Sequence, residues 1–225
     1  MIPDTYIFSE PMRYREALSM QRDAAKVCAQ EGISRLLILQ HPPVVTMGRD
    51  TKKEDRRIAD EELRSRGIDV EIVERGGSVT YHGLGQLIAY PIMDANLIEG
   101  RARGYLGMLQ RTVVDFLSAY GIASKPSEDS SHPGVFVDDE KIAAVGVEFK
   151  RAERRKVTMH GAAIYVNPDL SEFEHIFPCG DRNAKLTTME LELGSKPSMY
   201  DAMLRFADTF SRNAGIHFNL FRCTP

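Results

Sequence analysis

Residues 75–91 read RGGSVTYHGLGQLIAYP, a glycine-rich segment that runs directly into an apolar one. Four of the first eleven residues are glycines, and they bracket Tyr81 and His82. Glycine has no Cβ, so a backbone built from it can approach a ligand or another segment closely. Two interpretations stay open on spacing alone: a connection between two strands, or a loop shaped around a ligand.

The setting of this stretch excludes two nucleotide-binding motifs. The apolar segment after the glycines, Gln86–Ile92, has the length and composition of a strand. A dinucleotide-binding GxGxxG opens a helix within a βαβ unit, and a P-loop ends in GK[ST]. Neither pattern is present here, so the glycines predict no nucleotide site of either kind.

Predicted strands outnumber predicted helices along the rest of the chain. Apolar residues at three- and four-residue spacing predict long helices up to Glu31, over 101–120 and over 197–214. Many of the predicted strands are neighbours in sequence, as hairpins require. The fold class is therefore predicted as α+β, a mixed β-sheet flanked by helices, in one domain over residues 1–225. The predicted strands lie at residues 5–8, 34–40, 69–74, 86–92, 134–137, 141–149, 157–166 and 217–221.

Composition narrows the class of protein. The chain has 225 residues, 43% hydrophobic and 27% charged, with a formal net charge of −3. That charge gives no electrostatic reason to expect nucleic acid or an anionic membrane as a partner. No run approaches the roughly 18 apolar residues of a membrane span. The first ten residues lack the basic and apolar regions of a signal peptide, so a cytoplasmic protein is expected.

The three cysteines do not make a disulfide framework and are considered singly. Cys28 falls on the apolar stripe of a predicted helix and is expected in the core. Cys223 is close to the C-terminus, where chains usually fray. Cys179 differs in its neighbours. Pro178 restricts the backbone that leads to the cysteine, and Gly180 is expected to leave a backbone N–H open. It is either an incidental loop cysteine or a thiolate nucleophile stabilised by N–H groups or a cation.

A nucleophilic thiol needs a partner for proton transfer. Lys141 opens an apolar strand and could be held near an apolar pocket, where it would serve as that partner. From the residues alone, the favoured interpretation is a solvated lysine that pairs with the acids of the 138–140 turn. His82 and His160 each precede a glycine and could converge on one site. Together with Cys179 they contain no close ligand pair, so no metal site is predicted. His132, His175 and His217 are expected to be ordinary polar residues.

A basic segment at residues 150–156 forms the tip of a predicted hairpin. It contains Lys150, Arg151, Arg154, Arg155 and Lys156, with Glu153 as its one acid. A solvated turn is the favoured interpretation, and docking of an acidic partner is the alternative.

Four segments, in this order, resemble the lipoyl(octanoyl) transferases, which are octanoyl-[acyl carrier protein]:protein transferases of lipoate synthesis. The resemblance covers about residues 30–215. Leu84 stands where that family usually has proline, and Phe136 where it often has tryptophan. The matching residues are Arg75-Gly76-Gly77 with Thr80-Tyr81-His82-Gly83, Gly85-Gln86 and Tyr90-Pro91; Gly134-Val135 with residues 141–146, KIAAVG; Thr158 with His160-Gly161, Val166-Asn167 and Asp169-Leu170; and Pro178-Cys179-Gly180 with Leu186-Thr187-Thr188.

The resemblance implies a fold and a mechanism. The fold would be that of the lipoate and biotin protein ligases, related to class II aminoacyl-tRNA synthetases, around an acyl pocket. Cys179 would take the octanoyl group as a thioester, and Lys141 would stabilise the thiolate and shuttle protons. His160 would support the site. The substrate-binding residues would be Arg75, Gly76, Gly77, Ser78, Val79, Thr80, Tyr81, His82, Ala144, Val145, Gly146, Gly161, Ala162 and Ala163.

The resemblance also implies the partners. Octanoyl-acyl carrier protein would be the donor, and the acceptors would be the lipoyl domains of 2-oxoacid dehydrogenase complexes and the glycine cleavage H protein. No cofactor and no metal are implied, and a monomer is expected. N–H groups beside Cys179 and in the glycine stretch are expected to hold the oxyanion. Two alternatives stay open: an ATP-dependent lipoate-protein ligase, and a non-catalytic acyl-binding module.

Overall fold

The computed structural model describes residues 3–129, 133–152 and 155–223, without the side chains of residues 101 and 102. His132, Glu153 and Arg154 lie outside the described residues.

The main sheet has eight strands in the order β11-β1-β2-β6-β10-β9-β8-β7. Strand β1 pairs in parallel with β2 and β11, and the other pairings are antiparallel. The strands are β1 (Asp4–Phe8), β2 (Arg35–Leu39), β6 (Gln86–Ile92), β7 (Lys125–Pro126), β8 (Gly134–Val137), β9 (Glu140–Ala152), β10 (Arg155–Tyr165) and β11 (Asn219–Cys223).

A second sheet has three strands in the order β4-β3-β5. They are β3 (Val44–Met47), β4 (Asp69–Ile72) and β5 (Val79–His82). Strand β5 lies inside the glycine-rich stretch, whose residues 79–82 therefore belong to a strand rather than to a connecting loop. The stretch thus links the two sheets, because β6 in the main sheet follows after a short turn.

Helices cover both faces of the main sheet. They are α1 (Tyr14–Glu31), α2 (Asp60–Ser65), α3 (Arg101–Ser118), α4 (Met189–Leu193) and α5 (Met199–Ala214). Leu36 and Ile38 of β2 pack in one core with Phe116 of α3 and Phe206 of α5. Leu37 and Leu39 join the other core, with α1 and the small sheet. This alternation along β2 confirms a sheet buried on both faces.

Several element boundaries differ from the sequence expectation. Strands β9 and β10 extend through Ala152 and from Arg155, because their ladder continues to the Arg155–Ala152 pair. Cys223 does not fray, since β11 pairs in parallel with β1 as far as Phe8. Helix α4 was not predicted, and its five residues are too few to show a helical period.

Three described cations at the tip of the β9–β10 hairpin, Lys150, Arg155 and Lys156, make contacts within the molecule. Lys150 Nζ lies 3.0 Å from a Glu74 carboxylate oxygen. Arg155 donates from Nη1 to the carbonyls of Ala29 at 2.6 Å and Gln30 at 3.1 Å. Lys156 Nζ lies 4.8 Å from the centre of the Phe149 ring. These contacts favour a structural role for the tip over docking.

Candidate active site

Cys179 lies in a single 3-10 turn, Pro178–Gly180, with φ of +56°. This left-handed conformation is uncommon for a residue with a side chain and is held only where the surroundings enforce it. Phe177 N–H donates to the Asp55 carbonyl at 2.8 Å, which fixes the chain just before the turn. The Gly180 N–H, expected to be open, instead donates to the Phe177 carbonyl at 2.8 Å. The turn is therefore rigid, and this N–H is not available to a substrate.

Lys141 is brought to the turn by backbone pairing. Its N–H donates to the Lys185 carbonyl at 2.8 Å, and its carbonyl accepts from Thr187 N–H at 3.1 Å. The side chain is only 6% exposed, and Nζ lies 3.5 Å from Cys179 Sγ. The interpretation of Lys141 as a solvated hairpin lysine is wrong, because Asp139 of that turn pairs with Lys185 at 2.5 Å.

The pair of Lys141 and Cys179 places an amine beside a thiol. Nζ lies 3.5 Å from Sγ, within reach for proton transfer. Lys141 Nζ also lies 5.3 Å from the centre of the Phe136 ring, which flanks the ammonium. Phe136 thus supplies the aromatic face at the position where tryptophan was expected. The pair provides a nucleophile and a proton donor in one contact.

A cavity of about 820 Å³ opens beside Cys179. Most of the residues predicted to bind substrate line it, and His160 lines it as well. Val79 and Tyr81 do not, because side chains alternate along β5 and these two point into the core, where Tyr81 packs edge-on against Phe173. The predicted residues at the cavity wall are Arg75, Gly76, Gly77, Ser78, Thr80, His82, Ala144, Val145, Gly146, Gly161, Ala162, Ala163 and Cys179.

The cavity wall has an apolar part along β9 and β10. Gly146 and Gly161 face each other in the ladder, so backbone without side chains forms part of this wall. A Cβ on Gly161 would lie 2.0 Å from the Ala89 carbonyl oxygen, so only glycine fits there. Apolar residues that the sequence analysis had not assigned to the site complete this part of the wall: Ile88, Leu106, Val147 and Phe149. An alkyl chain suits such a surface.

The glycine stretch is tied to the Cys179 turn through Asp55. The Ser78 hydroxyl donates to the Asp55 carboxylate, and Lys52 N–H donates to the same carboxylate at 2.9 Å. The glycine N–H groups are also occupied: Gly76 donates to the Val147 carbonyl at 3.1 Å and Gly77 to Asp50 at 2.8 Å. The expectation that these N–H groups hold an oxyanion is not supported by this geometry.

Leu84 stands outside the site. Its side chain is 56% exposed, and it is not among the cavity-lining residues. The adjacent turn is fixed by Gly85, whose N–H donates to Gln40 Oε1 at 2.9 Å. The departure from proline at this position therefore leaves the wall of the cavity unchanged.

Buried aromatic and histidine side chains form the polar part of the wall. Tyr14, His82, Tyr90 and His160 line the cavity, and His41 lies behind them. Gln86 Nε2 donates to the Tyr81 carbonyl, so its Oε1 faces His82 Nδ1 at 3.2 Å and accepts from it. His82 Nε2 is then the acceptor nitrogen. Burial first, and the proximity of His41 and Arg75 next, hold the pKa of His82 well below 6.5, so its imidazole is neutral at neutral pH.

His160 has φ of +58°, an uncommon conformation inside a strand. Its N–H donates to Gln21 Oε1 on α1 at 2.7 Å, and its Nδ1 lies 3.3 Å from the Tyr14 hydroxyl. Its Nε2 lies 3.7 Å from a Glu148 carboxylate oxygen. Burial lowers the pKa of His160, and the nearby Glu148 carboxylate opposes that shift. His82 and His160, predicted to converge, do line the same cavity.

His41 should make the stability of the protein acid-sensitive. Burial lowers its pKa from 6.5 to about 4, while its Nδ1 contacts the Met12 carbonyl at 2.7 Å and its Nε2 the Tyr90 hydroxyl at 2.8 Å. A lowered pKa means that the unfolded chain binds more protons between pH 6.5 and 4. The stability that the protein gains from burying neutral His41 is therefore complete above pH 6.5 and is lost as the pH falls towards 4. The difference between the pKa of 6.5 in the unfolded chain and about 4 in the folded protein corresponds to at most roughly 3 kcal/mol of unfolding free energy.

Urea unfolding at pH 7.5 and pH 5.0 measures this effect. His41→Gln should lower the stability at pH 7.5 but lose less on acidification than the unaltered protein. His217→Gln, at an exposed histidine, is the control and should retain the original pH dependence. Equal losses in the unaltered protein and His41→Gln would contradict the assignment to His41.

No group of three or more histidine, cysteine or acidic side chains among the described residues is arranged to hold a metal ion. Within the same residues, no helix is long and apolar enough to cross a membrane.

The chain is similar to known proteins over most of its length. Residues 13–211 match the model of the lipoyl protein ligase A/B catalytic domain. An octanoyltransferase of Caldicellulosiruptor saccharolyticus is 37% identical over 213 residues, covering 94% of this chain and 88% of that protein. The mitochondrial octanoyltransferase LIP2 of Arabidopsis thaliana is 34% identical over 188 residues, covering 84% of this chain and 76% of that protein.

Solved structures show the same fold. A lipoate-protein ligase A bound with ATP superimposes with a TM-score of 0.82 at 16% identity, covering 100% of this chain and 90% of that one. A putative lipoate protein ligase from T. acidophilum with bound lipoic acid gives 0.80 at 16% identity, with the same coverage. These likenesses confirm the predicted fold class. The chain belongs to the lipoyl protein ligase A/B catalytic family and, with the octanoyltransferases it resembles in sequence, is an acyltransferase.

Proposed function

We propose that this protein transfers an octanoyl group from acyl carrier protein to a lysine of a lipoyl domain, through a thioester on Cys179. The contact of 3.5 Å between Lys141 Nζ and Sγ of Cys179, a residue that lines the cavity, carries the proposal. The relatives named octanoyltransferase support the acyl group. The cavity and both reacting side chains belong to one chain, which supports a monomer as the working unit.

The first half-reaction forms the acyl-enzyme. The Cys179 thiolate attacks the carbonyl carbon of the donor thioester, and the bond from that carbon to the donor sulfur breaks. The departing thiolate takes a proton from the Lys141 ammonium, so the products are a Cys179 octanoyl thioester, a donor thiol and a neutral Lys141. One thioester replaces another, so the step needs no activation of a free acid.

The second half-reaction forms the amide. The neutral amine of the acceptor lysine attacks the acyl-enzyme, its proton passes to neutral Lys141, and the Cys179 thiolate departs. Both residues return to their starting state, so protons balance over the cycle. Lys141 therefore acts first as acid and then as base. His82, neutral and with Nε2 as its acceptor nitrogen, supports the site as a hydrogen-bond acceptor for the incoming amine.

The remaining wall residues bind the substrate. The apolar surface at Val145, Ala162 and Ala163 accommodates the octanoyl chain, and the glycines at 146 and 161 let it lie against the backbone. The Lys141 ammonium, 3.5 Å from the reacting sulfur, also stabilises the oxyanion. The partners proposed are octanoyl-acyl carrier protein as donor, and as acceptors the lipoyl domains of 2-oxoacid dehydrogenase complexes and the glycine cleavage H protein.

Intact-protein mass spectrometry after mixing with octanoyl-carrier protein tests the proposal. We expect one octanoyl adduct that hydroxylamine removes, because thioesters are cleaved by that reagent. Peptide mapping should place the adduct on Cys179, with Cys28 and Cys223 unmodified as internal controls. Adding a lipoyl domain should discharge the adduct and octanoylate the domain. An unmodified protein in the presence of an active donor would refute the mechanism.

A further inference from the structure

Two arginines share one aromatic ring next to the reactive turn. The guanidinium carbon of Arg57 lies 4.3 Å from the centre of the Phe177 ring, and that of Arg182 lies 4.5 Å from it. Both side chains are exposed, and Phe177 is half-buried. The arginine pair, Arg57 and Arg182, therefore places two cations on one aromatic ring.

Backbone pairing fixes this pair relative to Cys179. Arg57 N–H donates to the His175 carbonyl at 3.0 Å, and Phe177 N–H donates to the Asp55 carbonyl at 2.8 Å. Arg56 and Ile176 form an antiparallel bridge between these two bonds. Phe177 is two residues before Cys179, and two residues of extended chain span at most about 7 Å. The ring that carries both arginines thus belongs to the segment that leads into the Cys179 turn.

The arginine pair has no carboxylate partner among the described residues that take part in ion pairs. The neighbouring Arg56, in contrast, is paired with Asp60. Arginine presents a planar fork of N–H donors that matches a phosphate group and stays charged at any physiological pH. Stacking on Phe177 holds both forks in place before an anion arrives.

We propose that the arginine pair binds the phosphate of the thiol arm that carries the acyl group. This inference rests on the proposed function, in which an acyl thioester reaches Cys179 from outside the cavity. The arm of a carrier-bound thioester is joined to its protein through a phosphodiester, so the arm brings an anion past the mouth of the cavity. The arginine pair lies beside the reactive turn and would hold that anion while the thioester reacts. The 150–156 tip is the weaker candidate, since the described contacts of Lys150, Arg155 and Lys156 are internal.

Two donors that differ only in the phosphate test this assignment. Acylation of Cys179 is timed with octanoyl-4′-phosphopantetheine and with octanoyl-pantetheine. In the unaltered protein the phosphorylated donor should react with a kcat/KM larger by about 10-fold or more, mostly through a lower KM. In the double variant Arg57→Gln/Arg182→Gln this advantage should disappear, while the rate with octanoyl-pantetheine should stay unchanged.

The double variant Arg64→Gln/Arg103→Gln is the matched control. It also removes two exposed arginines, from α2 and α3, and should keep the preference for the phosphorylated donor. Equal loss with both donors would overturn the proposal, because it would show that the pair only positions the Cys179 turn. A loss seen with octanoyl-carrier protein but not with octanoyl-4′-phosphopantetheine would overturn it too, in favour of contact with the carrier's acidic surface. Failure of the proposed function is distinguishable, since the unaltered protein would then form no adduct with either donor.

Discussion

Cys179→Ala should lose octanoyl transfer almost completely, by about 10³-fold or more. The variant keeps the cavity but removes the only atom that forms the proposed thioester. The substitution is small, yet position 179 has φ of +56°, so folding should be checked by circular dichroism and thermal unfolding. Transfer is measured as octanoylation of a lipoyl domain by mass spectrometry, with octanoyl-carrier protein as donor and no ATP.

Cys223→Ala is the control for this experiment. Its thiol lies at the end of β11, in a strand that pairs with β1, and its loss should leave transfer unchanged. The decisive contrary outcome is transfer by Cys179→Ala. If that transfer also depended on ATP and a free acid, the chain would be a ligase. If the unaltered protein bound octanoyl groups without transferring them, it would be an acyl-binding module.

Lys141→Ala should slow acylation of Cys179 by about 10²- to 10⁴-fold, the usual contribution of a positioned acid or base. The variant removes the proton donor that lies 3.5 Å from the sulfur and that the departing thiolate needs. Single-turnover acylation followed by quenching and mass spectrometry measures the rate.

Two further variants separate charge from packing at Lys141. Lys141→Met keeps an apolar stem beside Phe136 and should be as slow as Lys141→Ala. Lys196→Ala removes an exposed lysine and should react like the unaltered protein. Normal acylation by Lys141→Met would show that the stem, not the ammonium, is what the site requires.

The sequence predicted the class of fold and the members of the site better than their arrangement. Long apolar helices and hairpin-spaced strands carry strong local patterns, so the mixed sheet flanked by helices was predictable. The contact of Lys141 with Cys179 was not, because it depends on backbone pairing between β9 and residues 185–187. From the residues alone, Lys141 looked like a lysine paired with the acids next to it.

Two kinds of error at the site have simple physical causes. Val79 and Tyr81 belong to residues 75–82, a segment that the resemblance implies as substrate-binding throughout. Residues 79–82 form a strand, and side chains along a strand point alternately to its two faces. The side chains of Val79 and Tyr81 therefore point into the core. Tyr14 and Asp55 were missed because they come from a helix face and a short turn with no local motif. Only the tertiary fold brings them to the cavity.

The pairing of Lys141 with residues 185–187 also has a consequence for folding. Some 40 residues separate the two partners, and closing a loop of that length costs more conformational entropy than forming a contact within one helix. The dyad therefore depends on the joined state of β9 and the 185–187 segment. On the proposed mechanism, a chain in which these two segments are not joined should not be acylated at Cys179.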